Sequence, residues 1–189
     1  PVIIDNCENI EIHNINIDHS RPTVSELLVR SVGENFMSGC MSLRTIDLAP
    51  LRNITAIPSA FLSDTCLTAI DLSPLVNVTE VGGSFMQNCA TLTSVDLSPL
   101  SNVTTVGSFM LYQCTGLTSI DLTPFANVTS LGSYFMAECT SLVSVTMENT
   151  FIPLRDVTSV GVGFMSECYS LATITVPPIL RNCTSTPEN

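Results

Sequence analysis

The chain contains no tryptophan, only two histidines, and six basic residues among 189. Each shortage closes off a class of function. Nucleic-acid binders set Lys/Arg patches against phosphate, whereas 17 acidic against 6 basic side chains give this chain a formal charge of −11. The same sign disfavours docking to anionic lipid. No apolar run approaches the roughly 18 residues of a membrane-spanning helix, so no membrane insertion by this segment is expected. Catalytic signatures are missing too: there is no G-x-S-x-G, no H-E-x-x-H and no phosphate-cradling glycine loop. His13 and His19 both fall in an irregular opening stretch, and no C-x-x-C pair occurs. An enzyme, a cofactor and a metal site are all unexpected.

What is present is apolar. Hydrophobic residues make up 45% of the chain and charged ones only 12%, an unusual balance for a protein in water. Such a chain must bury its apolar side chains in a fold, and its acidity suits a secreted protein that stays soluble despite them. Opening at Pro1 without a signal-like stretch, it reads as a processed or excised chain.

A repeat explains the apolarity. Ile46-Asp47-Leu48, Ile70-Asp71-Leu72, Val95-Asp96-Leu97 and Ile120-Asp121-Leu122 recur at spacings of 24, 25 and 25 residues, followed by Val145-Thr146-Met147 and Ile174-Thr175-Val176. Ile15-Asn16-Ile17 is a weaker first copy. The remainder of the unit recurs as well: Leu92 to Leu100 leads into Asn102-Val103-Thr104, then Val106-Gly107, a Phe-Met pair and a cysteine. A fixed period of this length means a solenoid. In each triplet the first and third side chains share one strand face and the middle one points away. One coil cannot close a core alone, so coils stack in register about 4.8 Å apart and superimpose like residues in columns.

The predicted architecture is a leucine-rich-repeat solenoid with short parallel β-strands on one face and irregular or turn structure on the other, in about seven coils of about 25 residues. Residues 1–183 form one domain, with 1–39 an irregular first coil and 40–177 the regular coils, and 184–189 a polar tail. Phe36, Phe61, Phe85, Phe135 and Phe164 make an aromatic column. Counting from Gly107 puts Met110, not Phe109, in the remaining slot. Gly33, Gly82, Gly107, Gly132 and Gly161 mark a turn that needs positive φ or close backbone approach, with Pro58 replacing one. Pro50, Pro74, Pro99 and Pro124 follow the strand, where a missing N–H ends the ladder. Extra residues at Asp18 to Ser25 and at Glu148 to Phe151 are expected to bulge as loops.

The stretch Val128-Thr129-Ser130-Leu131-Gly132, Phe135, Cys139-Thr140-Ser141-Leu142-Val143-Ser144-Val145 resembles the Treponema pallidum-type, or BspA-like, leucine-rich repeat. The resemblance runs over about residues 29 to 177, with a weaker copy ahead of it. There are departures. Leu75, Leu100 and Phe125 stand where the general pattern has Asn or Cys, and Asp-Leu-Ser-Pro replaces the usual Ile-Pro after the strand. Surface or secreted adhesion to host or neighbouring-cell proteins is what the resemblance implies; it carries no particular ligand.

Three columns invite a chemical reading. Cys40, Cys89, Cys114, Cys139 and Cys168, with Cys7 as first member, could bridge or bind metal, but parallel neighbours point their Cβ vectors alike, which disfavours bonding. Buried free thiols acting as small hydrophobes are expected; Cys7, Cys66 and Cys183, off the column or near the ends, are the better candidates for oxidation. Asp47, Asp71, Asp96 and Asp121 line an outward face flanked by Ser94, Ser119 and Ser144. This is either a solvated face or a ligand-facing sheet, and too flat to cage calcium. Asn53, Asn77, Asn102, Asn127 and Asn182 each open an Asn-x-Thr acceptor for N-glycosylation. The plainer alternative is an asparagine that serves a tight turn, favoured by Asp156 at the same place in a later coil.

Two functions fit. One is an extracellular or cell-surface module for protein–protein interaction or adhesion. The other is a subunit that stacks end to end with copies of itself into an extracellular filament, because open solenoid ends are templates for pairing.

Overall fold

The computed structural model describes residues 29–146 and 157–172. Outside them lie the expected first strand at Ile15, the last at Ile174, both loop insertions, Cys7, Cys183, Asn182 and the 184–189 tail.

The coil that begins at Leu117 shows the logic. Leu117, Ile120 and Leu122 are buried, while Thr118, Ser119 and Asp121 are exposed. This period-two alternation forms strand β4, Ser119–Asp121, which pairs in parallel with β6, Ser144–Thr146. The equivalent triplets of earlier coils keep the alternation in part, joined more sparsely, as by Thr118 N–H donating to Thr93 O at 3.2 Å. Proline then opens a 3-10 turn. Ala49–Leu51, Ser73–Leu75, Ser98–Leu100 and Thr123–Asn127 all carry it in the first turn, where a missing N–H costs nothing. Leu75, Leu100 and Phe125 drop from these turns into the core, which is why apolar residues replace Asn or Cys there.

The chain next enters a ladder that the sequence reading had assigned to turns. Strands β1 (Ala56–Ile57), β2 (Glu80–Val81), β3 (Thr105–Val106), β5 (Ser130–Leu131) and β7 (Ser159–Val160) form one five-stranded parallel sheet in that order. The register is coil to coil: Val81 opposite Val106, and Val106 opposite Leu131. Each strand is only two residues long, too short for alternation to be visible in the sequence. The glycine column that follows is set by close approach, not by positive φ. A Cβ on Gly82 would lie 2.6 Å from Ser59 N and 2.7 Å from Pro58 C, so side chains at this column would push the coils apart.

Beyond the glycine lies the expected turn structure, and it has a regular form. In segments 34–39, 59–64, 83–88, 108–113, 133–138 and 162–167, alternate residues adopt left-handed φ, as Ser84 (58°), Met86 (51°) and Asn88 (55°) do. Their N–H groups bond across coils. Ser84 N–H donates forward to Ser108 O (2.7 Å), Met86 N–H back to Phe61 O (2.9 Å) and Asn88 N–H forward to Tyr112 O (2.7 Å). Among the described residues no Val, Ile or Thr occupies a left-handed position, consistent with the steric cost of a β-branched side chain there. The alternation also turns two consecutive side chains inward, which a β-strand cannot do. Phe85 and Met86 are both fully buried, as are Phe135 and Met136.

The core is a set of columns. Phe36 stacks on Phe61 with centroids 5.0 Å apart, Phe61 on Phe85 at 6.0 Å, and Phe135 on Phe164 at 5.4 Å. Met110 fills the intervening slot with no exposure, so the count from Gly107 holds. Every buried side-chain N or O among the described residues has a hydrogen-bond partner.

Candidate interaction surfaces

The aspartates sit where β4-type segments meet the 3-10 turns. Each carboxylate folds back onto its own chain: Oδ1 of Asp47, Asp71, Asp96 and Asp121 accepts the N–H of Ala49, Ser73, Ser98 and Thr123, respectively, at 2.8–2.9 Å. This is an Asx turn that opens the helix. At Asp96, Oδ2 also accepts from Ser98 Oγ at 2.9 Å. The Ser73 backbone N–H, followed by its side chain, holds the Asp71 carboxyl below the usual carboxylate range. All four aspartates remain exposed, as do Ser94, Ser119 and Ser144. The β4–β6 register puts Ser119 beside Ser144, and Asp121 beside Thr146.

The acceptor asparagines make a second ladder. Nδ2 of Asn77, Asn102 and Asn127 donates to the carbonyls of Arg52, Val76 and Ser101 in the preceding coil, each at 3.0 Å. The threonines two places on join in: Thr104 Oγ1 donates to Thr79 O at 3.3 Å, and Thr129 Oγ1 to Thr104 O at 3.2 Å. Acceptor motif and inter-coil bonding thus occupy the same atoms.

The cysteine column mostly behaves as buried thiol. Cys89, Cys114 and Cys139 are buried and free; Cys168 is free and half-buried. Each Sγ donates to a carbonyl of the preceding coil at 3.2 Å, that of Leu62, Met86, Leu111 or Met136. Those carbonyls belong to left-handed residues, so the thiols serve the groups this backbone leaves over. Burial raises the Cys89 and Cys114 pKa values above the ordinary thiol range, which makes them poor nucleophiles. Cys40 is the exception and a correction: it is disulfide-bonded. Cys66, an expected site of oxidation, is a free, half-buried thiol. Thr65 takes its column slot, 3.1 Å from Cys89 Sγ, and Cys66 turns into a groove of about 220 Å³ bordered by Met41, Asp64 and Asn88. No group of three or more His, Cys, Asp or Glu among the described residues could hold a metal ion.

Half a coil away from the aspartates lies a surface that the sequence reading missed. Because Met110 takes the core slot, Phe109 is left at a left-handed position (φ 63°) outside. It stacks on Tyr134 (5.2 Å, 10°) and meets Tyr112 edge-on (5.4 Å, 80°). The Tyr112 hydroxyl donates to Glu138 Oε1, and Gln113 Nε2 donates to Glu138 Oε2 at 2.8 Å. Those two bonds lower the Glu138 pKa, and the same carboxylate pushes the Tyr112 phenol up to about 12. Tyr169 Oη donates to Glu167 at 3.1 Å nearby. The signal available in the sequence was the one-residue offset of Phe109 from the aromatic column.

These repeats match, in 6 copies, the family described as the BspA type leucine rich repeat region, over residues 5–100 and 58–186. The chain belongs to the BspA-type leucine-rich-repeat family. The match reaches further at both ends than the 29 to 177 read from the motif, and the family makes this BspA-type solenoid a protein-interaction repeat module. The crystal structure of the T. pallidum leucine rich repeat protein, TpLRR, is similar at 18% identity over 86% of this chain and 78% of that one, with a TM-score of 0.42. No curated protein sequence matches the chain. No helix among the described residues is long and apolar enough to cross a membrane.

Proposed function

We propose that the BspA-type solenoid is a non-catalytic module of an extracellular or cell-surface protein that binds a protein partner, as an adhesin does. The observation that carries this reading is the register of β4 and β6, which sets Ser119 beside Ser144 on an exposed strip continuous with the aspartate row. Asp47, Asp71, Asp96 and Asp121, with Ser94, Ser119 and Ser144, form the ligand-facing surface. Asn53, Asn77, Asn102, Asn127 and Asn182 are N-glycan acceptors where the source cell glycosylates secreted chains. Intact mass of native material tests that.

The partner face is tested by coating beads with the chain and measuring attachment to a panel of extracellular-matrix and cell-surface proteins. Changing the four aspartates to asparagine keeps the Oδ1 that opens each turn but removes the charge. Attachment that falls with this variant supports the reading, whereas a chain that attaches to none of the panel overturns it.

A second reading has its own support. Main-chain bonds recur from coil to coil in both the five-stranded sheet and the left-handed ladder, a pattern that one more copy could extend as a filament. Sizing across a concentration series decides: particles near 20.3 kDa at every concentration eliminate it.

A further inference from the structure

The left-handed face is uniform in backbone but not in what it displays. At its first outward position the successive coils carry Asn35, Ala60, Ser84, Phe109, Tyr134 and Gly163. Only the middle coils place aromatic rings there. All three tyrosines of the chain lie on or beside this face, with Tyr134 39% exposed, Tyr169 73% and the neighbouring Val162 67%. Gly163 makes room for the cluster: a Cβ there would lie 2.6 Å from Tyr134 Cδ1.

Two carboxylates border the rings. Glu138 is held by Tyr112 and Gln113, and Glu167 by Tyr169. Neither forms an ion pair among the described residues. From Asn53 to Leu154 the chain has no Lys, Arg or His, so the coils from β1 to β6 bring no cation to this face. Aromatic rings beside fixed, unmatched carboxylates suit a cation with a flat or apolar body, and arginine above all, since it stacks and bonds carboxylate two-pronged. Phe109 covers one face of Tyr134, and the two carboxylates beside the rings favour a cation over a neutral sugar ring.

We propose that Phe109, Tyr112, Tyr134, Glu138, Glu167 and Tyr169 form a docking site for an arginine-bearing segment of a protein partner. The inference rests on the interaction-module reading but uses a different face. Loss of attachment through the aspartates therefore leaves it standing, and its own failure leaves the aspartate face untouched.

The test is fluorescence anisotropy of the full chain with a labelled Gly-Arg-Gly-Arg-Gly-Arg-Gly peptide, against a Gly-Ser peptide of the same length. The arginine peptide binds and the Gly-Ser peptide does not. E138Q/E167Q weakens binding about tenfold or more, the size expected for losing charge-assisted contacts. E34Q/E80Q, which removes the same charge at exposed carboxylates outside both the patch and the aspartate row, changes it less than about twofold. Thermal unfolding of both double variants checks that they fold. Equal weakening by the two pairs would mean that only the overall charge attracts the peptide, and would overturn the proposal. So would absence of arginine-peptide binding, or occupation of the patch by an oligosaccharide or a second copy in its place.

Discussion

Each coil has two outward sides built on different rules. On the aspartate side the same residue recurs at 47, 71, 96 and 121, and each copy makes the same bond to its own backbone two residues on. On the left-handed side the backbone recurs but the outward residue changes, from Asn35 through Phe109 and Tyr134 to Gly163. Repetition on the first side reflects a local structural need that every coil shares. Variation on the second produces a feature that belongs to one place along the solenoid. The contrast separates what stacks the coils from what distinguishes them.

The comparison is broken most severely at the glycine column, which both sides depend on. Gly132→Val should cost more than about 3 kcal/mol, because its Cβ would meet main-chain atoms of Gly107 and Ser108 in the preceding coil. Gly39→Ala, at φ 75° with nothing within 4 Å, should cost only about 1–2 kcal/mol of backbone strain. Urea unfolding midpoints of the two variants test this. A smaller effect at 132 than at 39 would show that coil spacing is not set there.

Next in size is the pair of phenylalanines that differ by side. Phe85→Ala, in the core column, should lose about 3–5 kcal/mol. Phe109→Ala should lose about 0.5–1.5 kcal/mol, the worth of its ring contacts, while changing the near-UV dichroism of the tyrosines around it. Calorimetry and dichroism on the same samples separate the two.

Asn102→Ala removes the bond to Val76 O and should cost about 0.5–1.5 kcal/mol. Asn102→Asp keeps the shape but offers that carbonyl no donor, so it should rescue none of the loss, as read by denaturant titration.

The smallest effects are in pH. Asp71 and Glu138 both have lowered pKa values in the folded chain. Their contributions are thus fully present above the ordinary carboxylate value near ~4 and are lost as pH falls through the lower folded values. Tyr112 runs the other way. Raised to about 12, it contributes below the ordinary phenol value near ~10 and loses that contribution as pH rises through its folded pKa. In an ultraviolet titration, Glu138→Gln should bring one phenolate step back towards ~10. A step unmoved by that substitution would refute the Tyr112–Glu138 link.

The period, the buried leucines, the aromatic column and the identity of Met110 as its sixth member were all legible in the sequence, because superposition forces like residues into like slots. The five-stranded sheet was not: strands such as Thr105–Val106 show no alternation over two residues. Nor was the left-handed ladder, whose only trace is the absence of β-branched residues at alternate positions. For the candidate surfaces, outward exposure of the aspartates and serines could be read from strand alternation. That each aspartate would be engaged by its own turn depended on where Pro124 and its equivalents start the 3-10 helix.

The sequence by itself determined that this chain stacks coils, since 24- and 25-residue spacings of apolar triplets have no other way to close a core. Tertiary structure alone decided which side chains neighbouring coils bring together. Tyr112 and Glu138, or Phe109 and Tyr134, are about one coil apart along the chain and meet only when the backbone ladder fixes the register. A one-residue offset such as that of Phe109 acquires meaning only there, because inside and outside are properties of the stack and not of the single coil.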